Sequence, residues 1–164
     1  MAKIFFAYNG PKVTTAAPVS VTTGTAVKSL LQIQPASKLI TIVEWGISFD
    51  GTSGVPIKCE LIDTQAVNAT VTAFASGDIV QLSGPADDAS LATLGTTASG
   101  YTSSAEGTIT STRLLDLQLV SPAGAYVKQF PLGREPVVQA GKNLRVRVTA
   151  PVAVNAYTYV IWEE

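Results

Sequence analysis

Residues 39–49 run Leu-Ile-Thr-Ile-Val-Glu-Trp-Gly-Ile-Ser-Phe. From Val43 onward large apolar side chains alternate with small or polar ones: Val43, Trp45, Ile47 and Phe49 against Glu44, Gly46 and Ser48. Successive side chains of a strand point to opposite faces, so this period of two predicts a long strand with one buried face. A helix would scatter the same four apolar residues around its circumference. Asp50-Gly51 closes the run with a turn signal. Shorter apolar runs predict strands at 3–8, 27–34, 57–63, 114–120, 126–132, 144–150 and 156–162, with a weaker one at 19–22. Pro35-Ala36-Ser37 and Ser121-Pro122-Ala123-Gly124 are tight links, so 27–34 is expected to form a hairpin with 39–49, and 114–120 with 126–132. In 114–120, Leu115, Leu117 and Leu119 alternate with Asp116 and Gln118. In 144–150, Leu144, Val146, Val148 and Ala150 are expected to face inward, with Arg145, Arg147 and Thr149 outward. The last run carries aromatics on both parities, Tyr157 and Tyr159 against Trp162, which predicts cover on both faces.

Residues 64–111 break this rhythm. They are rich in Ala, Thr, Ser and Gly and carry Asp78, Asp87, Asp88 and Glu106 but no Lys or Arg. One short apolar piece stands at 78–82. Residues 85–94 allow one or two helical turns, with Asp87 or Asp88 near the N-cap. So long a stretch without an element is unusual in a compact domain. It is either a functional excursion or holds strands too rich in Thr and Ala to recognise. The first ten residues, with Ile4, Phe5 and Phe6 in succession, fit a buried strand or an N-terminal arm that packs on a neighbour. About eight strands with frequent turns and no long helix predict an all-β fold. The expected architecture is one antiparallel β-sandwich domain over 1–164, with jelly-roll or Greek-key connections.

Composition changes this picture in one respect. Charged residues make up 14% of the chain and hydrophobic ones 46%, against roughly 25% charged in an ordinary soluble domain. A surface so poor in charge is expected to be tiled with Thr, Ser, Ala and Gly and partly covered by other subunits. A net charge of −1 gives no drive toward nucleic acid. No run is long enough to span a bilayer, and the N-terminus lacks the features of a signal peptide, so no membrane partner is expected and the cytoplasm is the expected site of synthesis and assembly. The single cysteine, Cys59, shares the parity of Ile57 and Leu61 and is expected to be a small buried hydrophobe.

Candidate chemistry is sparse. Histidine is absent, which removes the commonest general base and metal ligand and every nucleophile–His pairing. Glu44, Asp50, Glu60 and Asp63 are expected to be solvated strand-face or turn acids, not a paired acid and base. Asp87-Asp88 lacks the spaced ligands of a Ca²⁺ loop. Gly51-Thr52-Ser53-Gly54 is expected to be a hairpin loop, since no Gly-Lys-Ser/Thr ending or following helix makes it a phosphate cradle. No catalytic residue, cofactor, metal or small-molecule substrate is therefore expected, and the chain is not expected to be an enzyme. Residues 59–112 hold six acids and no base, while all eleven bases lie outside them. Arg145 and Arg147 are thus expected to be either a solvated basic stripe or one half of an intersubunit ion pair with that acidic region.

Three segments carry a resemblance: Glu-Trp-Gly-Ile-Ser-Phe-Asp-Gly at 44–51, Ala-Glu-Gly-Thr-Ile-Thr-Ser-Thr-Arg-Leu-Leu-Asp at 105–116, and the whole of 126–164. Together they resemble minor capsid or head decoration (cement) proteins of tailed bacteriophages, notably those of actinobacteria. The resemblance implies a β-sandwich on the outside of an icosahedral head. There it would stabilise contacts between major capsid subunits, often as a homotrimer, and its location would be the virion exterior. Lys3, Ile4, Phe5 and Phe6, the 64–111 excursion, Arg145 and Arg147 are then the candidate partner contacts. The alternative is a glycan- or receptor-binding jelly-roll module, lectin-like or a fibre head, using Tyr101, Tyr126, Tyr157 and Tyr159 to stack on sugars.

Overall fold

The structure is a computed structural model that describes residues 2–84 and 88–164. It is all-β, and no helix occurs among the described residues. The strands are β1 (Ile4–Tyr8), β2 (Val21–Thr22), β3 (Lys28–Ile33), β4 (Ile40–Phe49), β5 (Ile57–Asp63), β6 (Thr70–Ala73), β7 (Val80–Gln81), β8 (Gly100–Ala105), β9 (Arg113–Val120), β10 (Ala125–Gln129), β11 (Val137–Val138), β12 (Leu144–Thr149) and β13 (Asn155–Glu163). They form two antiparallel sheets, consistent with a β-sandwich. Sheet I is seven-stranded, in the order β10-β4-β13-β1-β7, with β11 on β4 and β2 on β13; sheet II is six-stranded, in the order β6-β8-β3-β12-β5-β9.

No two consecutive strands pair with each other among the described residues. Both expected hairpins are therefore absent. β3 lies in sheet II and β4 in sheet I, while β9 edges sheet II and β10 edges sheet I. The Gly51–Gly54 loop likewise crosses between sheets instead of closing a hairpin. The physical reason is burial: each of these strands has an apolar face to cover, and arching to the opposite sheet covers it as well as a local hairpin would. The Pro and Gly residues that permit a tight turn also permit an arch.

β4 lies one strand in from the edge of its sheet, between β10 and β13. Its register against β13 slips between Ile42 and Glu44, leaving Val43 without a partner in that strand. The Val43 carbonyl accepts instead from the Phe130 amide at 2.9 Å. Such a bulge switches which parity faces inward. Ile40 and Ile42 are buried before it, and Trp45 and Ile47 after it. That is why strict alternation begins only at Val43. Trp45, Trp162, Phe5, Leu30, Leu31 and Ile33 are the bulkiest apolar side chains of the inter-sheet core, each essentially without exposed surface.

The N-terminal segment takes the buried-strand course and not that of an arm. β1 is flanked by β13 and β7, Phe5 is fully buried, and its ring stacks on Trp162 at 6.1 Å between centroids. The 64–111 excursion contains β6, β7 and β8 and so builds the far edges of both sheets. Its strands were illegible because Thr, Ser, Ala and Gly give little apolar contrast between their faces. Asp88 to Leu94 is extended, held by an isolated bridge between Pro35 and Ala92, and makes no helical turn. The rest of that expected turn, including the Asp87 cap, lies outside the described residues.

The charge asymmetry is resolved within the monomer. All four ion pairs among the described residues join an acid of 59–112 to a base outside it: Lys3–Asp88, Arg113–Asp63 at 2.9 Å, Arg145–Glu106 at 3.2 Å and Arg147–Glu60 at 2.7 Å. Arg145 is a correction to the expected exposed stripe, because its side chain has no exposed surface. The excursion folds back over part of the outer face of sheet II and encloses the Arg145 side chain there. Arg145 Nη1 donates to the Glu106 carbonyl at 2.9 Å and Nη2 donates to the Val67 carbonyl. Glu106 also accepts from the Ser29 amide at 2.6 Å, the Ser29 hydroxyl at 2.7 Å and the Ser103 hydroxyl at 2.5 Å. Burial lowers the pKa of Arg145, and the facing Glu106 carboxylate opposes that shift. A buried charge tolerates such a place only when paired and hydrogen-bonded.

Candidate interaction surfaces

Among the described residues no group of three or more His, Cys, Asp or Glu side chains could hold a metal ion. The acids singled out in the sequence are each tied to a separate partner. Glu44 accepts from the Tyr159 hydroxyl at 2.5 Å, and Asp50 accepts from the Asn155 amide and side chain at 3.1 and 3.0 Å. Glu60 pairs with Arg147, and Asp63, almost fully buried, pairs with Arg113 and caps the Gln65 amide at 2.8 Å. Cys59 is buried, and desolvation followed by the nearby Glu60 charge pushes its thiol pKa up to about 12. A thiol so far from ionisation is a poor nucleophile. Two apolar features of the described surface bear on function instead.

The first is on β9, an edge strand. Its register against β5 places Leu114 opposite Ile62, Leu117 opposite Glu60 and Leu119 opposite Lys58, so all three leucines stand on the outer face of sheet II. They are 54%, 51% and 69% exposed. The alternating partners Asp116 and Gln118 therefore point between the sheets. Trp45 explains the choice. Its indole N–H is buried with the ring and needs an acceptor. Asp116 supplies it at 3.1 Å and also accepts from the Tyr126 hydroxyl at 2.9 Å and the Gln118 amide at 3.2 Å. Desolvation, then the Asp116 hydrogen bond and charge, push the Tyr126 pKa up to about 12. The inward carboxylate thus leaves three leucines facing solvent, with none of the described residues over them.

The second feature lies on the outer face of sheet I. There Phe6, Tyr8, Val13, Pro18, Tyr157, Thr158 and Tyr159 line an open cleft of about 340 Å³. In β13, Ala156, Thr158, Val160 and Trp162 are buried in alternation with the more accessible Tyr157, Tyr159 and Ile161. Gly46, opposite Tyr159 in the ladder, is needed here: a β-carbon at that position would come within 2.5 Å of the Tyr159 ring. The Phe6 and Tyr159 rings stack at 5.7 Å between centroids. Residues 11–19, all exposed, pass over this face. Tyr8 donates its hydroxyl to the Pro11 carbonyl, and Tyr157 donates to the Pro18 carbonyl at 2.6 Å. With Tyr159 bound to Glu44 and Thr158 bound to the Gly46 carbonyl at 2.7 Å, every hydroxyl of the cleft has a partner inside the molecule.

The candidate contact residues from the sequence are scattered by the fold. Phe5 and Arg145 are enclosed within the monomer and offer no surface to a partner. Phe6 lines the aromatic cleft, Ile4 is half-buried in the same strand, Lys3 is held by Asp88 and Arg147 by Glu60. Of the four tyrosines, Tyr157 and Tyr159 line the cleft, whereas Tyr101 packs on Phe74 and Tyr126 on Trp45, each ring pair at 5.4 Å. Sequence reasoning missed the leucine stripe. The signal was present as alternation in 114–120, but alternation does not say which parity faces in. No protein family, curated protein or solved structure matches this chain.

Proposed function

We propose that this chain is a structural subunit of a larger assembly, of the head-decoration kind its sequence resembles. In this reading it binds the outside of an icosahedral phage shell, ties neighbouring major capsid subunits together and acts as a trimer on the virion exterior. The observation that supports it best is the leucine stripe of β9. A long edge strand with exposed leucines is a liability for a free monomer and an asset for a subunit that is covered on assembly. Many copies bound to one lattice would turn a modest single contact into firm attachment.

The aromatic cleft favours the second reading, a glycan- or receptor-binding module, because sugars stack on aromatic faces. It serves that reading poorly, because its hydroxyls are already engaged and orientation of a sugar needs polar groups directed at the ligand. The test is co-sedimentation of the purified protein with emptied heads from a panel of actinobacteriophages, alongside a glycan array. Saturable pelleting with the heads and a silent array is the expected result. Array binding with no pelleting would replace this reading with the second.

A further inference from the structure

The two apolar features lie on opposite outer faces of one sandwich. Leu114, Leu117 and Leu119 project from sheet II at its β9 edge, and the cleft of Phe6, Tyr8, Tyr157 and Tyr159 opens on sheet I. Among the described residues nothing covers the first and nothing fills the second. We propose that they are the two halves of one contact, in which the leucine stripe of one copy seats in the aromatic cleft of the next.

Three observations favour a second copy as the occupant. The chemistry matches: the stripe presents aliphatic side chains and no hydroxyl, and the cleft presents ring faces with every hydroxyl already bound. The repeat matches, since Leu117 and Leu119 are two residues apart on one strand face, as are Tyr157 and Tyr159. Side chains spaced alike interdigitate when two sheets pack face to face. The flanking charges match as well. Lys58, exposed, stands beside Leu119 across the ladder, and Glu44 stands at the cleft through its bond with Tyr159. Opposite charges at the rim of an apolar contact fix its orientation.

Because the halves lie on opposite faces, the contact is head-to-tail. Each copy uses its stripe on one neighbour and its cleft on another, which closes a ring when the rotation permits and otherwise runs on as an open array. The inference rests on the reading of this chain as an assembly subunit, but it concerns contacts between copies alone and is measured without any shell. Loss of shell binding with intact self-association would overturn only that reading, and the reverse only this inference.

The experiment uses the full chain and two surface variants. The double variant Leu117→Asp with Leu119→Asp disables the stripe, and Val13→Asp on the exposed cleft wall disables the cleft. Circular dichroism checks that each is folded, and L119K replaces the double variant if that one does not fold. Sedimentation velocity over a range of concentrations is expected to show self-association of the wild type and monomers for each variant alone. An equimolar mixture of the two variants is expected to give a one-to-one dimer and nothing larger, because only one intact stripe and one intact cleft remain to meet. A wild type monomeric at every concentration, self-association that survives Val13→Asp, or a mixture that stays monomeric would each overturn the proposal.

Discussion

Asp116 shows how a single residue sets the character of a whole edge. It sits where β9 of sheet II passes the rim of sheet I, and its carboxylate bridges the sheets by accepting from Trp45 and Tyr126. Trp45 is fully buried, so its N–H has no water to turn to. An unmet buried donor costs about 1–3 kcal/mol. Asp116→Ala removes the acceptor for both donors and is expected to lower stability by about 2–3 kcal/mol, read as a lower urea midpoint at unchanged slope. Asp116→Asn keeps one carbonyl oxygen and is expected to lose less. The same substitutions remove the charge that helps hold the Tyr126 proton, so tyrosinate absorbance should show that phenol titrating below its present value of about 12. A variant as stable as the wild type would show that the leucines face outward for some other reason than this acceptor.

At the scale of elements, the strands were more legible than their partners. β1, β3, β4, β5, β9, β10, β12 and β13 all coincide with apolar runs of the right length, because a two-residue period is a local property. Pairing is not local here: among the described residues every ladder joins strands that are not neighbours in sequence. Turn chemistry marks where the chain bends without saying whether it returns beside itself or crosses to the opposite sheet. The two surfaces were less legible still. The stripe depends on which parity of 114–120 turns inward, and the cleft on Phe6 and Tyr159 meeting across β1 and β13. β1 also shows how a terminal apolar run misleads, since an arm and a central strand have the same composition. Its position between β13 and β7 yields a sharp expectation. Truncation of Phe5 alone, fully buried against Trp162, would cost about 3–5 kcal/mol. Deleting residues 1–8 also strips the hydrogen-bonded neighbours from β13 and β7, so the product is expected to be unfolded by circular dichroism. A folded truncation would mean that sheet I is complete without its first strand.

At the scale of the whole molecule, the absence of histidine and the burial of weak acids together set the pH response. With no histidine in the chain, no side chain titrates near pH 6.5 in the unfolded state. Above that range the buried acids act in one direction. Cys59 is raised from 9.0 to about 12 and Tyr126 from 10.0 to about 12, while Tyr8, Tyr101 and Tyr159 are also raised, in every case chiefly by burial. Each holds its proton in the folded chain at a pH where the unfolded chain has released it. A raised pKa of this kind contributes stability that is fully present below the unfolded value and is lost as pH climbs toward the folded one. Lys28 and Arg145, both lowered by burial, work in the opposite sense, as two groups against five. The urea midpoint is therefore expected to be flat from about pH 6 to 8, to fall from about pH 9 as Cys59 begins to matter, and to fall more steeply beyond about pH 10 as the tyrosines join. Cys59→Ala lowers stability at every pH by leaving a cavity, but it should delay the start of the decline toward pH 10. An unchanged onset in that variant would assign the decline to the tyrosines alone, and a midpoint that rises between pH 9 and 11 would show that these groups are not buried as this sandwich places them.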